Sequence, residues 1–94
     1  MKIFDERGEK MYRIEKIVAD GKERTDGRYP LRKGCIGDFW CLNIGEPMIF
    51  AYSKDNEGND KTGYLRTSVV EDYENYDGYT VVYTINSIYT LKKL

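Results

Sequence analysis

The sequence of 94 residues contains no histidine and only two cysteines, two prolines and one tryptophan. Without histidine, the chain cannot build a Ser-His-Asp or Cys-His catalytic arrangement, an HExxH zinc site or any mechanism that uses imidazole as acid and base. Cys35 and Cys41 do not have the CxxC spacing, and no other cysteine or histidine is present to complete a zinc site. The sequence therefore predicts a non-enzymatic protein with no metal and no cofactor.

The spacing of the two cysteines also argues against a disulfide bond between them. If the stretch from Cys35 to Cys41 is extended, their Cα atoms lie about 20 Å apart, which is far beyond the reach of a disulfide. We expect two reduced, buried thiols that pack as small apolar groups. A bridge would require a sharp reversal of the chain at Gly37.

A large charge of one sign is missing as well. The chain has 15 basic and 16 acidic residues, so its net charge is −1. A general binder of nucleic acids or membrane surfaces usually has a basic excess. No run approaches 18 apolar residues, and residues 1–10 lack the apolar segment of a secretory signal. The expected location is the cytoplasm, without a membrane segment.

Strand-forming residues and glycines dominate what is present. Nine tyrosines accompany many Val, Ile and Thr residues, and nine glycines recur along the chain as turn signals. The length fits one domain, residues 1–94. This pattern predicts a mostly β fold, a small antiparallel SH3-like barrel of five to seven short strands.

The predicted elements follow from alternation and turn residues. Residues 10–18 fit a strand, although their apolar spacing would also suit a helix. Two further segments are predicted to be irregular: 20–33 is a long charged loop, and the acid-rich 71–77 is a solvated turn or short 3₁₀ segment. The other predicted strands are a short edge strand at 1–4 and strands at 35–43, 47–53 and 63–70. Residues 55–61 are predicted to form a polar reversal.

The last strand region, residues 79–91, has two interpretations. A two-residue turn at Asn86-Ser87 would form a hairpin that pairs Ile85 with Ile88 and Thr84 with Tyr89. The alternative is one long bent strand. The sequence leaves both open.

The loop at 20–33 is the first candidate binding site. Residues 1–33 have ten basic and seven acidic side chains, whereas residues 34–94 have five basic and nine acidic ones. A basic loop with an aromatic residue can bind an acidic protein surface, including that of a second copy, or contact phosphate and stack a base. The interleaved acids favour a protein partner, and a nucleic-acid module using residues 22–33 is the alternative. The candidate residues here are Arg24, Arg28, Tyr29 and Arg32.

Trp40 is the second candidate. Adjacent strand residues point to opposite faces, so one ring of Phe39 and Trp40 is predicted to face the core and the other to face outward. An outward ring beside the loop would suit a protein or peptide groove, because Trp, Tyr and Arg anchor many interfaces. The alternative is that both rings pack, one in the core and the other under the 20–33 loop.

Three other motifs predict no chemistry. The acids of residues 71–77 are expected to be solvated. Residues 55–60 fail the EF-hand pattern, since Gly58 occupies the fourth position of the loop and Arg66 the twelfth. The glycines at 34 and 37 match no phosphate-binding motif, and a loop reversal explains them.

The second half of the chain resembles a known group of proteins. Residues 45–48 read G-E-P-M, residues 65–73 read L-R-T-S-V-V-E-D-Y, and residues 84–91 read T-I-N-S-I-Y-T-L. These segments resemble small β-barrel proteins of gut Firmicutes and their prophages, which share an R-T-S-x-V strand and a T-x-N-S-x-Y-x-L ending. The resemblance covers about residues 34–94. It implies a small intracellular β domain and brings neither an activity nor a catalytic residue.

The shared polar positions form the third candidate. Arg66, Thr67, Ser68, Asn86 and Ser87 lie within strand-like runs, and they are expected to cluster on one face. Their hydroxyl and amide groups would either satisfy turn backbone or form a binding patch that is centred on Arg66 and includes Asn86. We therefore expect an interaction domain that binds a protein partner or a second copy, in which an inhibitory role stays open. A small-ligand binder or small enzyme around Arg66 is a further alternative.

Overall fold

The computed structural model describes residues 11–23 and 29–94, which form seven strands and one helical turn. Every strand pair is antiparallel. The predicted fold class is thus confirmed, whereas the closer likeness to SH3-like barrels stays a prediction and the strand predicted at 1–4 lies outside the described residues. The elements are β1 Tyr12–Ala19, β2 Lys22–Glu23, α1 Tyr29–Arg32, β3 Ile36–Cys41, β4 Pro47–Lys54, β5 Tyr64–Tyr76, β6 Tyr79–Thr84 and β7 Ile88–Lys93.

The strands form one sheet in the order β2-β1-β3-β4-β5-β6-β7, and β1 also pairs with β7. That last pairing runs from Tyr12 opposite Lys93 to Val18 opposite Ile88. Six strands, β1 and β3 to β7, therefore form a closed ring. Closure satisfies backbone groups that would otherwise lie at open edges.

A bulge explains the imperfect alternation of β1. The register against β7 shifts between Ile14 and Lys16, so one extra residue is inserted there. The shift lets Ile14 and Ile17 both reach the core although their spacing is odd. The strand interpretation of this segment is confirmed and the helical one is wrong.

The core is enclosed by the ring and contains a chain of aromatic side chains. Tyr12 meets Phe39 edge-on with ring centroids 4.7 Å apart, and Phe39 meets Phe50 in the same way at 5.7 Å. Edge-to-face contacts add stabilisation to that of the buried area alone. The largest fully buried apolar side chains are those of Ile14, Ile17, Met48, Phe50, Val70, Val82 and Leu91.

The acid-rich segment 71–77 is a strand rather than a turn. β5 continues through Tyr76 and pairs with β6 from Asp72 opposite Tyr83 to Tyr76 opposite Tyr79, which leaves Asp77-Gly78 as the turn. The acids are exposed, as expected, so strand formation does not bury their charge. Cross-strand contacts, such as the stacked rings of Tyr76 and Tyr79 at 4.7 Å, favour the extended form.

The long charged loop predicted at 20–33 contains the short strand β2 and the helical turn α1 in its described parts, so the prediction is wrong for these elements. Asp20 and Gly21 have φ of 55° and 76° and form a two-residue hairpin turn between β1 and β2. The α1 turn then precedes β3. In the part of the chain that the structure describes, no helix is long and apolar enough to cross a membrane.

The hairpin at residues 79–91 exists with a register different from the predicted one. Tyr83 lies opposite Ile88 and Val82 opposite Tyr89, so the four residues 84–87 connect the last paired positions. The N–H of Ile85 donates to the carbonyl of Val69 on β5 and does not pair across the hairpin. The long-bent-strand interpretation is wrong, and so is the two-residue turn.

Gly37 lies inside β3 and does not reverse the chain. It pairs with Tyr12 of β1 on one side and Tyr52 of β4 on the other. A Cβ at this position would overlap the carbonyl oxygen of Ala51. Close approach of two backbones, and not a turn, explains this glycine.

Candidate functional site

A polar pocket of about 210 Å³ forms where β5, the β6–β7 loop and α1 meet. The structure brings the five polar residues singled out from the sequence together in this pocket, and Arg32 of α1 joins them. We call it the arginine pocket. The described residues that line it are Arg32, Arg66, Thr67, Ser68, Thr84, Asn86, Ser87 and Tyr89.

The hydroxyl groups of β5 fix the backbone around the pocket. The Thr67 hydroxyl accepts a hydrogen bond from the N–H of Met48 at 3.0 Å and donates one to the carbonyl of Ser68 at 2.7 Å. The Ser68 hydroxyl accepts from the N–H of Asn86 at 3.1 Å. Thr67 and Ser68 thus satisfy backbone groups, as the structural interpretation predicted, while Asn86 contributes its main chain.

The loop between β6 and β7 is braced by Thr84. Its hydroxyl donates to the carbonyl of Ser87 at 2.8 Å and accepts from the N–H of the same residue at 3.0 Å. This reciprocal pair closes the loop together with the backbone bond from the Thr84 N–H to the Ser87 carbonyl at 2.8 Å. The loop is therefore held so that Asn86 and Ser87 line the arginine pocket.

Arg32 is positioned from two directions. Its Nη1 donates to the Tyr89 hydroxyl at 3.1 Å, and Tyr89 is only 2% exposed. The α1 turn is itself anchored by Cys35, whose thiol donates to the carbonyl of Leu31 at 3.1 Å and whose N–H donates to that of Arg32 at 3.2 Å. The guanidinium is consequently placed by the buried part of the fold.

A second, shallower depression of about 370 Å³ lies beside the first. Arg32 and Arg66 line both, so the two depressions are contiguous. We call the second one the aromatic groove. Within the described part of the chain it is lined by Leu31, Arg32, Tyr52, Lys61, Tyr64, Leu65 and Arg66.

Trp40 extends the aromatic groove across the outer surface of the sheet. Phe39 is 3% exposed and Trp40 is 71% exposed, which confirms that one ring faces inward and the other outward. The indole stacks on the ring of Tyr64 with centroids 6.1 Å apart and planes at 28°. Tyr64 is itself 57% exposed, so the stacked pair presents a broad apolar face to solvent.

Lys61 supplies a third positive charge to the groove. Its Nζ lies 4.8 Å from the centre of the Tyr52 ring, within the range of a cation–π contact. Burial, together with the neighbouring Cys35, raises the pKa of Tyr52 to about 12. The phenol therefore remains a neutral hydrogen-bonding group throughout the physiological pH range.

Both cysteines are free thiols, as the sequence predicts. Cys35 is buried, whereas Cys41 is only half-buried, so the expectation of two buried thiols holds for the first alone. Burial raises the pKa of the Cys35 thiol. A protonated thiol that donates to a backbone carbonyl is a poor nucleophile.

The other predicted site residues of the 20–33 segment lie wholly or partly outside what the structure describes. Arg24 and Arg28 lie outside the described residues, and Tyr29 is the first residue of α1. The acids of β5 form no metal site: among the described residues, no three Cys, Asp or Glu side chains lie together so as to hold a metal ion.

Among the described side chains, the charge of the arrangement is positive. Arg32, Lys61 and Arg66 line the two depressions, and no acidic side chain among residues 11–23 and 31–94 does so. The chain as a whole has a net charge of −1. The positive surface is therefore a local feature produced by the fold.

Sequence reasoning missed the contributions of Leu31, Tyr52, Lys61, Tyr64 and Tyr89. Tyr64 and Arg66 alternate on β5 and could have been paired by their period of two. The positions of Lys61 and Tyr89 depend on the β4–β5 connection and on ring closure, which leave no local signal. No family, curated protein or solved structure matches this chain.

Proposed function

We propose that this protein is a non-enzymatic interaction domain that binds a protein partner through the aromatic groove and the arginine pocket. The observation that carries the proposal is the exposed stack of Trp40 on Tyr64 beside the basic side chains of Arg32, Lys61 and Arg66. Trp, Tyr and Arg are the residues most enriched among the energetic anchors of interfaces.

The charge of the groove selects the kind of partner. Three positive side chains beside an apolar stack favour a partner segment that combines an apolar side chain with acidic groups. The apolar side chain would pack on Trp40 and Tyr64, and the acidic groups would face the two arginines. As the sequence resemblance implies, we expect this domain to act in the bacterial cytoplasm, with an inhibitory role as one form of the function.

An interaction role also fits the chemistry of the side chains. Cys35 is held protonated by burial, and the acids of β5 are exposed to solvent. General acid–base catalysis by a carboxylate requires a pKa tuned by burial or by a close charged neighbour, which a solvated strand does not supply. The arginines of the pocket are binding groups rather than proton carriers.

The test is a tagged pull-down from lysate of the source bacterium, with the captured proteins identified by mass spectrometry. A Trp40→Ala variant removes the outer half of the stack. The matched control is Tyr76→Ala, which breaks the other exposed aromatic stack, that of Tyr76 and Tyr79. We expect one stoichiometric partner that Trp40→Ala loses and Tyr76→Ala retains.

Two results would contradict the proposal. A partner retained equally by both variants would bind at some other surface. Recovery of nucleic acid in place of a protein, with an affinity that falls steeply as salt rises, would instead support the alternative of a nucleic-acid module.

A further inference from the structure

We propose that the arginine pocket binds a single oxyanionic group, a carboxylate or a phosphate. This inference deepens the proposed function and rests on it: the group would be an acidic or phosphorylated side chain of the partner. The aromatic groove would hold the apolar part of the same segment. The two contiguous depressions would then bind two different chemical features of one ligand, its oxyanionic group and its apolar part.

Electrostatics provides the first argument. Two guanidinium groups, those of Arg32 and Arg66, line a pocket of about 210 Å³. Planar guanidinium groups present several donors in a fixed fork that matches carboxylate and phosphate oxygens. No acidic side chain of the described residues lines the pocket, and the Arg66 guanidinium makes no ion pair within the described structure.

The hydrogen-bond inventory provides the second argument. The Ser68 hydroxyl uses an acceptor site for the N–H of Asn86, which leaves its own proton to donate. The side-chain amide of Asn86 adds two donors, and within the described structure neither this amide nor the Arg66 guanidinium is engaged in a hydrogen bond or ion pair. The uncommitted donors of Ser68, Asn86 and Arg66 suit an anion, which can only accept hydrogen bonds.

Preorganisation provides the third argument. Arg32 is positioned by its bond to the nearly buried Tyr89, and the pocket wall is braced by the backbone bonds of Thr67 and Thr84. A ligand that enters this pocket does not have to order these groups, so less of the binding free energy is lost as entropy. Arg66, exposed at the mouth, is shared with the groove.

The experiment uses two simple probes, inorganic phosphate and acetate, titrated into the ¹⁵N-labelled full chain at constant ionic strength set with sodium chloride. We expect saturable shifts of the amide signals of Ser68, Asn86 and Ser87. Shifts with phosphate alone would indicate a phosphorylated partner side chain, and shifts with acetate as well would indicate an acidic one. The absence of saturable shifts with both probes would overturn the inference.

Charge-matched variants separate a built pocket from general attraction. Arg66→Gln removes the guanidinium at the mouth of the pocket and should weaken anion binding by about tenfold or more. Lys92→Gln removes one positive charge from an exposed position of β7 outside the pocket and should change the affinity by less than about twofold. Equal effects of the two variants would overturn the inference.

A second variant covers the case in which Arg66→Gln disturbs the fold. Asn86→Ala shortens an exposed loop side chain and keeps the backbone N–H that bonds to Ser68. It should weaken anion binding while the free energy of unfolding remains within about 0.5 kcal/mol of the parent value. An unchanged affinity in this variant and in a folded Arg66→Gln variant would count against the pocket.

The outcome also distinguishes the inference from the proposed function. If neither anion binds and the Trp40→Ala variant fails to capture the partner in the pull-down, the inference is wrong and the proposed function stands. If anions bind in the pocket and no protein depends on Trp40, the pocket is a site for a free oxyanion and the proposed function falls.

Discussion

Gly37 shows how a single residue determines the distance between two neighbouring strands. It lies in the interior of β3, where a glycine usually weakens a strand. Here the absence of a side chain lets the backbone of β4 approach, since a Cβ would meet the Ala51 carbonyl oxygen and the ring of Phe50. The strand therefore depends on this glycine for its spacing to β4.

Replacing Gly37 with Ala should destabilise the fold by about 1–3 kcal/mol, because the new methyl group must displace backbone rather than a flexible side chain. The free energy of unfolding from urea titrations, followed by far-ultraviolet circular dichroism, measures this change. A variant as stable as the parent would show that β3 and β4 do not approach so closely.

Tyr52 gives the stability of the fold a dependence on high pH. Burial raises its pKa to about 12, above the ordinary value of 10.0 that the unfolded chain should show. The folded state therefore holds the phenol proton more tightly than the unfolded state. The resulting stabilisation is fully present below pH 10 and is lost as the pH rises towards about 12.

The corresponding prediction compares the parent with Tyr52→Phe. Between about pH 10 and pH 12, the free energy of unfolding should fall more steeply in the parent than in the variant. In this range the unfolded parent releases the phenol proton that the folded parent retains, whereas Tyr52→Phe has no phenol to ionise. Urea titrations across this range measure the difference between the two slopes. Parallel slopes would mean that Tyr52 ionises in the folded protein as it does in the unfolded chain.

At the scale of the elements, bulges decide which side chains reach the core. In β5, Leu65 and Thr67 follow the period of two, but Val70 is also buried. The register shift of β4 against β5 between Pro47 and Ile49 accounts for this change of phase. Thr67 stabilises the irregularity, since its hydroxyl accepts the N–H of Met48.

Thr67→Val should therefore cost about 1–3 kcal/mol of stability, because it leaves the buried N–H of Met48 without its partner. The matched control is Thr90→Val on β7, because the Thr90 hydroxyl makes no hydrogen bond to a described residue. The free energy of unfolding of this variant should stay within about 0.5 kcal/mol of the parent value. Thermal or urea unfolding measures both variants. Equal losses would contradict the role of the Thr67 hydroxyl.

These irregularities mark the boundary of what the sequence could predict about the fold. Alternation and turn residues were sufficient for the strand class, for β4 and for the inward and outward rings of Phe39 and Trp40. The acid-rich residues 71–77 predict a solvated turn or short 3₁₀ segment, because charge resembles a loop signal when the cross-strand partner is unknown. Pairing with β6, which is a tertiary property, makes this segment a strand.

At the scale of the whole molecule, ring closure joins residues that are distant in the sequence. The pairing of β1 with β7 places Tyr89 in the wall behind α1, where it receives the bond from Arg32 across 57 positions of the chain. The sequence could predict a cluster of Arg66, Ser68 and Asn86. It could not predict that Arg32 joins that cluster, because no local pattern encodes this contact.

Closure of the ring also predicts that the backbone amides of the ring strands are protected from hydrogen exchange to a similar degree. In native-state hydrogen exchange, the amides bonded between β1 and β7 should exchange about as slowly as those between β3 and β4, since neither pair lies at an open edge. Rapid exchange along the whole of β7, with slow exchange in β4, would indicate that the ring opens between β1 and β7.

The central claim is that the aromatic groove is the partner-binding surface, and the emission of Trp40 tests it most directly. The chain has a single tryptophan, which is 71% exposed in the unbound structure. When the purified partner from the pull-down is added, we predict a shift of the emission to shorter wavelength and protection from quenching by iodide. An unchanged spectrum and unchanged quenching, while the complex demonstrably forms, would contradict the account.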